Sequence, residues 1–136
     1  MSVLSVKMAK YSYKSKLSKQ EQEELLIDFC NAISSIKEPN EAAKFLKDLL
    51  SPQEAEMLAK RIKIADLLLD GFKYSEIEKF LKVGNGTIAR ISEWLRFTGD
   101  GYRLVVKRLK EKRKMKSEGS MAGSKFNNLM KRYPIM

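Results

Sequence analysis

The tightest constraint on this chain lies between Tyr74 and Leu95, in YSEIEKFLKVGNGTIARISEWL. Ile77, Leu81, Val83, Ile88 and Ile91 fall there at relative positions 0, 4, 6, 11 and 14. The first two are one helical turn apart, Val83 plugs a turn, and the last two point back from a second helix. That is the buried pattern of a helix-turn-helix, which leaves the polar face of its second helix outward and sized for a DNA major groove. Gly84-Asn85-Gly86 supplies the turn, and the second helix is expected from about Gly86 to Phe97.

The chain has 136 residues, 43% of them hydrophobic, which suits one globular domain with tails or one such domain per subunit. A single cysteine, Cys30, rules out an intrachain disulfide and a cysteine cluster within one subunit, and fits a reducing cytoplasm. Its neighbours Ile27, Phe29 and Ile33 make a buried apolar filler the expected role. There is no histidine, so the commonest general base and metal ligand are missing. No apolar run approaches the roughly 20 residues of a membrane span, and MSVLSVKMAKYSYKSK lacks the apolar stretch of a signal peptide.

The net charge of +10 is unevenly spread. Residues 1–16 carry +4, residues 17–102 carry −3, and residues 103–136 carry +9. A near-neutral core is therefore flanked by two basic arms, which beside a helix-turn-helix point to phosphate attraction.

Local signals divide the chain further. Residues 1–17 read as a flexible basic arm, residues 18–110 as a helical domain with its motif at 74–97, and residues 111–136 as a basic, disordered tail. Within the domain, Ser18-Lys19-Gln20-Glu21, Ser51-Pro52-Gln53-Glu54 and Ser75-Glu76-Ile77-Glu78 read as capping boxes. Asn40 after Pro39, and Asp100 after Gly99, read as caps of two further helices, and Gly71 as a helix stop. This gives six helices and no strand. Several helices are apolar on more than one side, so a lone copy would leave much of that surface wet and a homodimer is expected.

From Leu50 to Leu109 the chain resembles the Trp repressor superfamily, most closely its YerC/YecD-like branch. The matching segments are LSPQE (Leu50–Glu54), AKRIKI (Ala59–Ile64), LL-x-G (Leu68–Gly71), YSEI (Tyr74–Ile77), TIARI (Thr87–Ile91) and GDGYRL (Gly99–Leu104). The resemblance implies an all-α, six-helix Trp-repressor-like fold, an intertwined homodimer presenting two reading helices, here with basic N- and C-terminal arms. Before Leu50 the helices fit in number and length, without a motif.

The resemblance also raises a corepressor site. Arg61 and Arg90 align with the two arginines that sandwich the indole ring in tryptophan-responsive members, and Ser51 and Thr87 align with polar pocket residues. Where the ring needs a small neighbour this chain has Ile91, and Trp94 replaces a serine that helps hold the ligand's amino group. Ile91 and Trp94 fill the space, so no tryptophan corepressor is expected, and any small-molecule effector is left unnamed. Glu78 and Lys82 stand where many such motifs carry small residues or glycine.

The expected DNA contacts begin with Asn85, Gly86, Thr87, Ala89 and Arg90. Asn85 caps the helix or reaches an adenine edge, with capping the favoured role; Thr87 can touch a thymine methyl or a phosphate, and Arg90 a guanine or a phosphate. Lys73, Lys79 and Lys82 flank the motif, and Arg103, Lys107, Lys110 and Lys114 would share one helix face along the phosphates. The favoured function is a sequence-specific, double-stranded-DNA-binding transcription regulator acting as a repressor, cytoplasmic and nucleoid-associated. A nucleic-acid-binding protein without sequence preference and a protein-interaction adaptor are the alternatives. No nucleophile–base pair or glycine-rich phosphate loop stands out, so an enzyme is not expected.

Overall fold

The computed structural model describes residues 14–118. Most of the expected N-terminal arm (1–13) and of the tail (119–136) lies outside them. The described residues form six α-helices and no strand: α1 Lys19–Ser34, α2 Pro39–Leu49, α3 Pro52–Leu69, α4 Tyr74–Leu81, α5 Asn85–Phe97 and α6 Asp100–Glu118. The chain divides into two units after Asp48.

In the first unit, α1 opens on the expected capping box. The Ser18 hydroxyl accepts from the Glu21 N–H at 3.2 Å, and Glu21 accepts from the Ser18 N–H at 2.8 Å. These bonds, led by that from the Ser18 backbone, hold the Glu21 carboxyl below its ordinary pKa. No residue of α1 or α2 is buried. Leu25, Ile27, Phe29, Ile33 and Leu46 are all exposed, and so is Cys30, contrary to the filler role expected from its apolar neighbours. Asn40 does not cap α2: the helix starts at Pro39, and the Ala42 N–H donates to the Glu38 carbonyl. Proline at the first helical position sacrifices no hydrogen bond, which moves the start ahead of Asn40.

The second unit holds a core made of Ile64, Ala65 and Leu67 from α3, Ile77 from α4, Ile88, Ile91 and Leu95 from α5, and Val106 from α6. Leu68, Tyr74, Leu81, Val83 and Tyr102 pack around it. All five motif positions therefore face inward, with Ile77 and Ile88 fully buried. The Ser51 box forms as expected, with Pro52 in the first turn of α3. The other end of α3 closes in a Schellman arrangement. Gly71, at φ +86°, donates to the Leu68 carbonyl and Phe72 donates to that of Leu67.

Gly99 shapes the corner between α5 and α6. Its φ is +65°, and a Cβ there would sit 2.8 Å from the Leu95 Cα, so a side chain is barred by both conformation and space. The Arg103 N–H donates to the Gly99 carbonyl, which makes Gly99 the residue before the helix and places Asp100 inside it rather than at its cap. From there α6 runs through Glu118, so residues 111–118 are helical, not a disordered tail. Lys, Arg, Glu and Met are strong helix formers, and KEKRKMK needs no apolar face to continue a helix already started.

Candidate nucleic-acid interface

The turn of the motif rests on an unusual residue. Lys82 ends α4 in the left-handed region, φ +53°, where glycine is the usual choice. A side chain there costs about 1 kcal/mol, and packing of Leu81 and Val83 against the core offsets it. The chain then enters α5 through Gly84, whose carbonyl accepts from the N–H groups of Thr87 (3.2 Å) and Ile88 (3.4 Å). Gly84 is thus the cap residue, and Asn85 is the first residue of the helix rather than its cap.

That shift changes what Asn85 can do. Its side chain makes no capping bond and is exposed, as are Gly86, Thr87, Ala89 and Arg90. Ile88, Ile91 and Leu95 turn the opposite side of α5 into the core. The first turn of α5 contains no acid, so nothing opposes the partial positive charge of its unpaired N–H groups. The small residues Gly86 and Ala89 lie among Asn85 and Thr87, which can donate and accept, and Arg90, which only donates.

The start of α4 also differs from expectation. Lys73, not Ser75, is the cap position, and its backbone N–H donates to Glu76 at 3.1 Å. The Lys73 side chain is exposed, as are those of Lys79 and Lys82. Lys79 lies beside a cleft between α3 and α4.

The lysine row of α6 is where structure and expectation part most. The Arg103 guanidinium donates to the carbonyls of Thr98 (2.8 Å) and Leu95 and so closes the end of α5. Lys110 forms an ion pair with Asp70 and approaches Asp66 Oδ1 to 3.7 Å. Arg103 and Lys110, expected as DNA contacts, thus each have a structural partner within the chain. Lys107 and Lys114 keep their exposure, as do Arg108 and Lys112, and none of the four forms an ion pair among the described residues.

Behind the row sits Asp66, 4% exposed on α3. Its Oδ2 lies 3.3 Å from both Lys63 Nζ and Arg113 Nη1, while Oδ1 is buried without a hydrogen bond. Burial pushes its carboxyl upward, but Arg113 and Lys63 outweigh that, and the net displacement is downward. The Lys110 ammonium is held above its ordinary value, first by Asp70, against its own desolvation. The pairing of Asp66 and Asp70 with Lys63, Lys110 and Arg113 is not anticipated from the sequence. The available signal was an acid inside the apolar run IADLLL, with a second acid one turn on.

The residues aligned with an amino-acid pocket are distributed over α3 and α5. Ser51 is at the start of α3 with its hydroxyl accepting from Glu54, and Arg61 is exposed ten positions further on, about 15 Å along the helix. Thr87 and Arg90 belong to α5. Ile91 is 5% exposed within the core and Trp94 is half-buried. Among the described residues no group of three or more His, Cys, Asp or Glu side chains could hold a metal, and no helix is long and apolar enough to cross a membrane.

Comparison with known proteins agrees with this arrangement. The family described as Trp repressor protein matches residues 24–110, reaching well before Leu50 into α1. YerC, an uncharacterized protein of Bacillus subtilis (strain 168), is 33% identical over 81 residues, spanning 60% of this chain and 78% of YerC. The crystal structure of a provisionally assigned Trp repressor from Staphylococcus aureus superposes with a TM-score of 0.62 at 24% identity, covering 69% of this chain and 96% of the other. At that identity the likeness speaks to the fold.

Proposed function

Because the chain belongs to the Trp repressor protein family, we propose that it is a DNA-binding transcription regulator that reads a specific duplex sequence as a homodimer and represses. The carrying observation is the division of α5: Ile88, Ile91 and Leu95 anchor it, while Asn85, Gly86, Thr87, Ala89 and Arg90 stay outward on its first turns. Small side chains let the helix approach base edges, and Asn and Arg are the side chains that pair bidentately with adenine and guanine. Lys73, Lys82, Lys107 and Lys114 then position the protein on phosphates, without choosing sequence.

The homodimer is supported by apolar surface. Leu25, Ile27, Phe29, Ile33 and Leu46 are exposed in the first unit, and Leu49, Met57, Leu58 and Ile62 in the second. A soluble chain does not leave such surface wet, and a second copy is its simplest cover. Two reading helices would then meet half-sites about 34 Å apart. Tryptophan is not proposed as corepressor, since Ile91 fills core volume where the ring would need room. A cytoplasmic location on the nucleoid follows from the same reading.

Selection of bound duplexes from a random pool, followed by competition with random DNA, tests the proposal. A near-palindromic motif that random DNA displaces poorly is the expected result. Equal competition would favour the alternative without sequence preference, which the exposed cations of α6 would serve. Absence of salt-sensitive binding would point to an adaptor.

A further inference from the structure

Between α3 and α4 lies a cleft of about 470 Å³, lined by Lys63, Leu67, Phe72, Glu76, Ile77, Lys79 and Phe80. None of the DNA-contact residues of α5, and none of the residues aligned with an amino-acid pocket, lines it. Its volume falls within the roughly 300–1,000 Å³ of small-molecule sites. Leu67 and Ile77 form a buried apolar floor, 9% and 0% exposed. Phe72 and Phe80 also line it and are 45% and 71% exposed.

The polar groups are confined to three side chains. Glu76 is already engaged at the start of α4, where its carboxylate accepts the Lys73 N–H. Lys63 shares Asp66 with Arg113. Lys79 is exposed and forms no ion pair among the described residues. Lys63 and Lys79 outnumber Glu76 on the rim, and Lys79 is the cation without an ion pair among the described residues, so over the apolar floor the cleft suits a ligand with an apolar body and one negative end.

We propose that this cleft is a binding site for a small amphipathic carboxylate. Its aromatic or alkyl body lies over Leu67 and Ile77 between Phe72 and Phe80, and its carboxylate is met by Lys79 and Lys63. The site does not depend on the DNA reading, and its test contains no DNA. Its consequence does depend on that reading, because α4 is the first helix of the motif and a ligand wedged against α3 biases how the motif is held.

The test titrates the full chain with 4-phenylbutyrate and follows the NMR signals of Leu67, Phe72, Ile77 and Phe80. Saturable shifts centred on these four residues are expected, and 4-phenylbutanol, which lacks the charge, should bind about tenfold more weakly. Phe80→Ala and Lys79→Gln alter exposed side chains and should each weaken 4-phenylbutyrate binding while the circular dichroism spectrum stays unchanged. Equal binding of acid and alcohol, shifts centred on the exposed face of α1, or indifference to both variants would overturn the site. Changes in the same four signals on dilution without ligand would assign the cleft to a second copy and also overturn it.

Discussion

At the start of α5, Asn85, Gly86, Thr87, Ala89 and Arg90 all face solvent around a helix anchored only on its far side. On α6, by contrast, Arg103 closes the end of α5, and Lys110 and Arg113 are bound to the carboxylates of α3. Two stretches that look equally suited to a nucleic acid in sequence are therefore unequal once folded. A count of lysines and arginines measures how much charge a helix carries, not how much of it remains for a partner. The α5 tip keeps Asn85, Gly86, Thr87 and Ala89 exposed, whereas much of the α6 row holds α6.

Asp66 is the sharpest point at which to break that contrast. Replacing one member of a buried ionic cluster strands the others, at a cost of about 3 kcal/mol where the partners reach solvent, as Lys63, Lys110 and Arg113 do here. Asp66→Asn should therefore lower stability by that order in chemical denaturation, the largest effect anticipated. The pH dependence follows from the depressed carboxyl. A folded-state value below the ordinary 3.8 adds stability that is present above 3.8 and lost as pH falls from there through the lower folded-state value. Asp66→Asn should thus flatten the acid limb of the stability curve below about pH 5. An unchanged acid limb would mean that Asp66 does not organise α6.

Arg90→Ala addresses the other side of the comparison. Loss of a bidentate base contact costs about 1–3 kcal/mol, so affinity for a selected operator should fall roughly 10- to 100-fold. Binding to random DNA should change far less. Uniform weakening across sequences would demote Arg90 to a phosphate contact.

The lysines of α6 provide an internal control. Lys114→Gln removes an exposed charge and should reduce the log-log salt slope of DNA binding by about 0.9 on any sequence. Lys110→Gln removes a charge committed to Asp70 and should leave that slope alone while lowering stability. If the two variants behave alike, the division of α6 into structural and available cations fails.

Several of these distinctions were legible in the sequence and others were not, for physical reasons. The motif core was legible because Ile77, Leu81, Val83, Ile88 and Ile91 obey local spacing, and the boxes at Ser18 and Ser51 because their partners lie three residues away. The pairing of Lys110 with Asp70 spans 40 positions, and nothing local specifies it. Three of the misplaced caps share one cause. Asn40, Asp100 and Asn85 are all favoured cap types, yet each follows a proline or lies one residue beyond a glycine that begins the helix earlier: Pro39 opens α2, and Gly99 and Gly84 precede α6 and α5. Glycine is itself an acceptable cap, so residue preference alone could not choose between neighbours. The exposure of Phe72 and Phe80 is equally hidden, because nothing in the local sequence distinguishes an exposed aromatic residue from a buried one.

Asn85 yields the smallest effect and the finest discrimination. A true N-cap Asn replaced by Ala costs about 1 kcal/mol, whereas a first-turn residue whose side chain makes no capping bond should cost only a few tenths. Asn85→Ala should therefore leave thermal stability nearly unchanged. With stability held, any loss of affinity confined to operators carrying adenine at one position can be assigned to the amide's contact with that base. A stability loss near 1 kcal/mol would return Asn85 to the capping role. It would also mean that the α5 tip, like the α6 row, spends a polar side chain on its own helix.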